Sequence, residues 1–212
     1  MRDRKRLRLK DYDYSQPGAY FVTICARDRE HRFGEIVDGQ MRRNDLATIV
    51  QSCWDDLPNH YPYLQLDEFV IMPNHVHGIV MIFEETIVAA MHGRIHDEPT
   101  VGDGLKPFVG VTRASPLRGK RNRLGDIVGS FKSAVTKRIN EIHATPGAPF
   151  WQRGYYDHII RDDRSLDRIR DYIIENPRRW SSDKENADIE GADELDCWLN
   201  SIACKPDRKG AQ

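Results

Sequence analysis

No stretch of this 212-residue chain approaches 18 consecutive apolar residues, so no membrane-spanning helix is expected. The start is basic, but no apolar segment follows it, which argues against a secretory signal. The four cysteines, Cys25, Cys53, Cys197 and Cys204, form no Cys-x-x-Cys pair and no disulfide framework. Cys25 and Cys53 lie in apolar runs and are expected as buried thiols of a reducing, cytoplasmic compartment. There is no internal repeat, and with a formal net charge of -1 there is no overall excess of either sign. The charge is nevertheless unevenly placed. Residues 1–10 carry six Lys or Arg against Asp3, the pattern of a polyanion-binding arm or of a solvated tail. Residues 181–196 carry seven acids against Lys184 alone and suggest a soluble tail.

What remains is enough for one domain with a sizeable core. Tyr20–Cys25 is a β-branched and aromatic run, and Phe33–Asp38 is expected to pair with it as a second strand. Leu46, Ile49, Val50, Cys53, Trp54 and Leu57 then form a helical stripe, capped by Asn44 or starting at Asp45 and ended by Pro58. Leu64–Met72 and His75–Phe83 suggest a hairpin turning at Pro73-Asn74. Residues 84–123 show no period and are expected to be an inserted loop. Leu124–His143 has a second helical stripe, Tyr155–Arg161 is a short strand, and Leu166–Asn176 is a third helix, capped by Asp163 or Ser165 and stopped by Pro177. The order predicts an α+β fold: a ferredoxin-like or RRM-like antiparallel sheet with helices packed on one face. The expected organisation is a basic arm over 1–19, a domain over 20–180 interrupted at about 84–123, and an acidic tail over 181–212.

His75-Val76-His77 carries the most chemistry. In a strand, residues i and i+2 share a face, so two imidazoles aim at one point. That is a divalent-metal site or a pair of structural histidines. In the third helix, Tyr172 and Asn176 are one turn apart on a flank of the Leu166, Ile169, Ile173 stripe. Two imidazoles and an amide oxygen leave an open cation site, with a phenol one turn away. The chemistry that follows is nucleophilic attack on a phosphodiester, the metal acting as Lewis acid on the phosphate oxygens. Each residue has an alternative: Tyr172 as a packing ring, Tyr155 or Tyr156 as competing nucleophiles, His158 as a core histidine, Trp151 as core rather than a stacking platform beside Arg153, Glu175 as an exposed acid.

The histidine pair resembles the His-hydrophobic-His motif of the HUH single-stranded-DNA nucleases. Residues 7–180 resemble the REP-associated tyrosine transposases, relatives of single-tyrosine insertion-sequence transposases. The likeness is carried by Arg6–Tyr12, Gly18–Ile24, Val70–Gly78, Phe150–Arg161 and Tyr172–Pro177. It implies that His75, His77 and Asn176 ligate Mg²⁺ or Mn²⁺ and that Tyr172 forms a 5′-phosphotyrosine. It also implies a hairpin of single-stranded DNA as substrate, a nucleoid-associated protein in the cytoplasm, and a monomer or a homodimer. Asn176 stands where insertion-sequence relatives more often have Gln, and the long 84–123 segment separates His77 from Tyr172 more than is usual. The DNA-binding candidates are Arg4, Lys5, Arg6, Arg8 and Lys10 in the arm, Arg118, Lys120 and Arg121 in the insertion, and Arg153. The expected activity is a metal-dependent endonuclease and strand transferase. Its rivals are a non-catalytic hairpin-binding regulator, separable by a covalent DNA adduct, and a hydrolase using His-x-His to activate water, for which further Asp or His ligands at suitable spacing are lacking.

Overall fold

The computed structural model describes residues 12–14, 16–84 and 123–186, together with Leu195 and Trp198. Among the described residues, six strands and four α-helices run in the order β1 (Gly18–Cys25), β2 (Gly34–Val37), β3 (Gln40–Arg43), α1 (Asp45–Asp55), α2 (Leu57–His60), β4 (Leu64–Ile71), β5 (His75–Ile82), α3 (Arg123–His143), β6 (Tyr156–Ile160) and α4 (Asp163–Glu175). A 3-10 segment, Asn176–Ser182, follows directly. The main sheet has the order β4-β5-β1-β6 and is antiparallel throughout. With α1 and α3 as its crossovers, this is the ferredoxin-like α+β arrangement.

Alternation along the strands divides the interior in two. Tyr20, Val22 and Ile24 of β1 and Val76, Val80 and Ile82 of β5 join Val50, Trp54, Phe131 and Val135 in the larger core, under α1 and α3. Phe21 and Ile79 point the other way and pack with Ile169, Tyr172 and Ile173 of α4. Two helices thus cover one face as expected, and α4 adds a layer on the opposite face. Gly78 sets this arrangement. A Cβ there would lie 2.5 Å from Trp54 Cζ2, because the Trp54 indole stacks on Phe69 at 4.3 Å directly over the strand.

Three local expectations are corrected. Residues 34–37 do not pair with β1, both of whose edges are taken by β5 and β6. They pair instead with Gln40–Arg43 through Asp38 and Gly39, at φ 52° and 71°, the left-handed pair that a two-residue hairpin turn requires. Pro58 sits in the first turn of α2, where a missing N–H costs nothing, after α1 has ended at Asp55. The cap of α4 is Asp162, whose side chain accepts from Ser165 N at 2.8 Å; Asn44 caps α1 as its sequence position suggests. The segment over 85–122, most of the expected insertion, lies outside the described residues.

Candidate functional site

β5 opens with His75 immediately after the Pro73-Asn74 turn, and strand alternation sends His75 and His77 to the α4 face. Both are buried, at 0% and 1% exposure. Their Nε2 atoms meet at 2.9 Å. The other ring nitrogens are held from behind. Asn74 donates through Nδ2 to the carbonyls of Arg29 and Glu185, which fixes its amide and leaves Oδ1 as acceptor for His75 Nδ1 at 2.8 Å. His75 therefore carries its proton on Nδ1 and presents the Nε2 lone pair inward. Thr23, directly opposite His77 in β1, bonds His77 Nδ1 at 2.9 Å. Burial, helped by His75 and by the charge of Lys184, holds the His77 imidazole well below its usual range and keeps it neutral.

The third group of this cluster is Asp183. One carboxylate oxygen of Asp183 and one nitrogen of each histidine all lie within 4.8 Å of one another, and all three residues are buried. Asp183 Oδ1 accepts from Glu185 N at 2.7 Å, whereas Oδ2 has no hydrogen-bond partner and stands 3.5 Å from His75 Nε2. With the His75 proton on Nδ1, that contact brings a buried carboxylate against a lone pair, an arrangement that calls for a cation. Asn176 Oδ1 is likewise buried without a partner. Two inward imidazole nitrogens and an uncompensated carboxylate oxygen suit a divalent cation that accepts mixed nitrogen and oxygen donors.

Asp183 falls in the stretch expected to be a solvated tail, yet Asp183, Glu185 and Asn186 are all buried. The segment is held by Arg29, which pairs with Glu185 at 3.1 Å and donates to the carbonyl of Lys184, and by the Cys25 thiol, which donates to Glu185 Oε2. No periodicity marks residues 183–186; the available signal was Trp180, three residues after Pro177, a large aromatic that is half-buried against the second core. Its ring lies 6.1 Å from that of His75.

Tyr172, on the buried stripe of α4, is 6% exposed, and its ring centre lies 5.4 Å from that of His77 and 6.2 Å from that of Phe21. Asn176 begins the 3-10 segment one turn later. Tyr156 shares this face and touches Phe21, while Tyr155 packs on the opposite core. His158 is opposite Phe21 in register and so on the α4 face, outside the cluster; burial, reinforced by Arg161, pushes its pKa down to about 4. Trp151 is a core residue, packed with Phe33, Phe131 and Phe150. Glu175 pairs with Arg178. Of the DNA-binding candidates, Arg153 is exposed ahead of β6, and Arg4, Lys5, Arg6, Arg8, Lys10, Arg118, Lys120 and Arg121 lie outside the described residues. Among the described residues no helix is long and apolar enough to cross a membrane.

No family model matches this chain. An uncharacterized protein of Haemophilus influenzae is 39% identical over 184 residues, covering 85% of this chain and 92% of its own length. A second Haemophilus influenzae protein, which takes its name from the REP-associated tyrosine transposases, is 21% identical over 169 residues, 78% of this chain and 73% of its own. A solved structure of a REP-associated tyrosine transposase bound to a REP hairpin aligns over 85% of this chain and 74% of that one, at 17% identity and a TM-score of 0.44. The chain belongs to one family with its 39%-identical relative, and it is similar in sequence, at 21% identity, to a protein named for the REP-associated tyrosine transposases.

Proposed function

We propose that this protein cleaves and rejoins single-stranded, hairpin-forming DNA, using Tyr172 as nucleophile. The observation that carries this reading is the juxtaposition of a buried His-His-Asp cluster with a tyrosine ring packed on His77. His75, His77 and Asp183 would hold the cation, with Asn176 Oδ1 as a further oxygen donor. When bound, a Mg²⁺ or Mn²⁺ ion supplies charge to polarise the phosphate. Thr23 and Asn74 keep both imidazoles turned inward, a backing that tunes ligand basicity as well as orientation. The rings of His77 and Phe21 hold the Tyr172 ring by edge contacts. Its oxygen attacks phosphorus, the bond from phosphorus to the 3′-oxygen breaks, and the phenolic proton ends, net, on the departing 3′-hydroxyl. The product is a 5′-phosphotyrosine and a free 3′ end. Because the ester linkage is conserved, the reverse step can join that phosphate to another 3′-hydroxyl, which suits strand transfer better than hydrolysis. The binding partner this reading requires is a folded single strand, gripped through phosphate contacts by the basic arm and by Arg153.

The test is incubation of the full-length protein with Mn²⁺ and labelled hairpin oligonucleotides taken from palindromes of the host genome, resolved on a denaturing gel. A slow-migrating adduct, absent in Tyr172→Phe and after chelation, is expected. Hairpin binding without adduct or cleavage across the panel would replace this reading with that of a non-catalytic regulator. An adduct that survives in Tyr172→Phe would move the nucleophile to Tyr156, which among the described residues shares this face.

A further inference from the structure

Lys184 lies between two buried carboxylates, Asp183 of the cluster and Glu185 of the clamp. Arg29 holds its carbonyl at 3.2 Å. With the backbone fixed on both sides, the side chain extends along the α4 face of the sheet, and its Nζ sits 4.8 Å from the centre of the Tyr156 ring. Tyr156, Thr23 and His77 occupy one row across three adjacent strands. With strands about 4.8 Å apart, the Tyr156 backbone is roughly 10 Å from that of His77. Phe21 is the hub of this row, its ring contacting those of His77, Tyr156 and Tyr172. The ring under the ammonium, Tyr156, and the ring of Tyr172 therefore both contact Phe21. The positive charge is also close enough to contribute to the low basicity of His77.

We propose that the Lys184 ammonium binds a non-bridging oxygen of the DNA phosphate that Tyr172 attacks, and is a catalytic residue of the cleavage step. The inference rests on the nucleophile reading given above. In that step the Tyr172 oxygen–phosphorus bond forms as the phosphorus–O3′ bond breaks, while Lys184 keeps its protons throughout. It acts as a fixed positive charge where negative charge accumulates on the phosphoryl oxygens. A structural alternative, a cation held against Tyr156 for stability alone, makes different predictions.

The experiment is single-turnover adduct formation by the full-length protein with Mn²⁺ and the same hairpin oligonucleotides, comparing the parent with Lys184→Ala and Lys184→Arg. Mn²⁺ binding is followed by electron paramagnetic resonance, and folding by thermal melting. Lys184→Ala should lower the rate at saturating DNA by about 10²-fold, the usual effect of removing one transition-state donor. Half-saturating DNA, Mn²⁺ affinity and melting temperature should stay close to the parent's, and Lys184→Arg should recover most of the rate. An unchanged rate in Lys184→Ala overturns the proposal, as does weaker DNA binding with an unchanged saturated rate. Loss of Mn²⁺ affinity or of folding overturns it too, since Lys184 would then act through Asp183 or Tyr156. A parent protein forming no adduct overturns the nucleophile reading and this inference together, whereas an active parent with an insensitive Lys184→Ala overturns this inference alone.

Discussion

The Nε2 atoms of His75 and His77 face each other at 2.9 Å, and only one proton or one cation can satisfy both. Because Asn74 fixes the His75 proton on Nδ1, the apo protein must place a proton on His77 Nε2, with Thr23 donating to Nδ1. Metal binding would displace that proton and reverse the Thr23 hydrogen bond. Thr23→Val should therefore weaken Mn²⁺ binding about 10- to 100-fold, the range typical of lost second-layer partners, while His75→Ala should abolish it. Titration of Mn²⁺ by electron paramagnetic resonance measures both. Equal Mn²⁺ affinity in Thr23→Val and the parent would contradict this account of the site.

Asp183→Asn separates the two oxygen donors. It removes the negative charge and keeps the shape, so Mn²⁺ affinity should fall more than tenfold, whereas Asn176→Ala should produce the smaller loss, because a neutral amide contributes less to a divalent cation than a carboxylate does. The same titration decides. A larger loss in Asn176→Ala would make the amide the principal oxygen ligand, as the sequence alone suggested.

Much of the site's position was legible in the sequence. His75 and His77 had to share a face because the strand period is two, and Tyr172 had to lie near the buried stripe because the helical period is 3.6. Asp183 was not legible. It sits in an irregular segment whose burial depends on Arg29, Asn74 and Cys25, residues 109 to 158 positions away, counting back from Asp183. The pairing of Gly34–Val37 was missed for a different reason. Asp38-Gly39 is a hairpin signal, but polar Gln40–Arg43 lacks strand composition, and its pairing is imposed by the turn rather than by burial.

Gly78→Ala should be costly. The added methyl meets the rigid Trp54 indole at 2.5 Å, so the ring must shift and its stack on Phe69 must open. A loss of about 1–3 kcal/mol is expected from such overpacking, read by urea denaturation. A variant as stable as the parent would mean that α1 can slide without cost.

Arg170 on α4 grips Asp67 on β4, with Nε–Oδ1 at 2.9 Å, beside the irregularity between Leu66 and Phe69. The Arg170 hydrogen bonds hold the Asp67 carboxyl below its usual range. A carboxyl depressed in the folded state contributes stability above its unfolded pKa of about 3.9, and that contribution is lost as pH falls through the folded value. Asp67→Asn should therefore destabilise the protein by about 1–2 kcal/mol at pH 7 and by less as the pH falls below about 4. Denaturation curves at pH 7 and pH 3 test this; an equal difference at both would assign the effect to packing.

Tyr172→Phe keeps the ring contacts with His77 and Phe21 and removes one hydroxyl. Its melting temperature should stay within a few degrees of the parent's, corresponding to less than about 1 kcal/mol. Circular dichroism measures this, and a large drop would show that loss of the adduct reported unfolding rather than chemistry.

β5 acts as a partition wall. Val76 and Val80 face the large core under α1 and α3, and His75, His77 and Ile79 face the thin layer under α4. Substitutions of Val76 and Val80 should register as lost stability, and those of His75 and His77 as lost ligand affinity. A residue-by-residue scan through the first residues of the strand should therefore alternate between two phenotypes with the two-residue period of the pleat, so that inheritance of the fold and inheritance of the chemistry can drift independently at one end of a single strand.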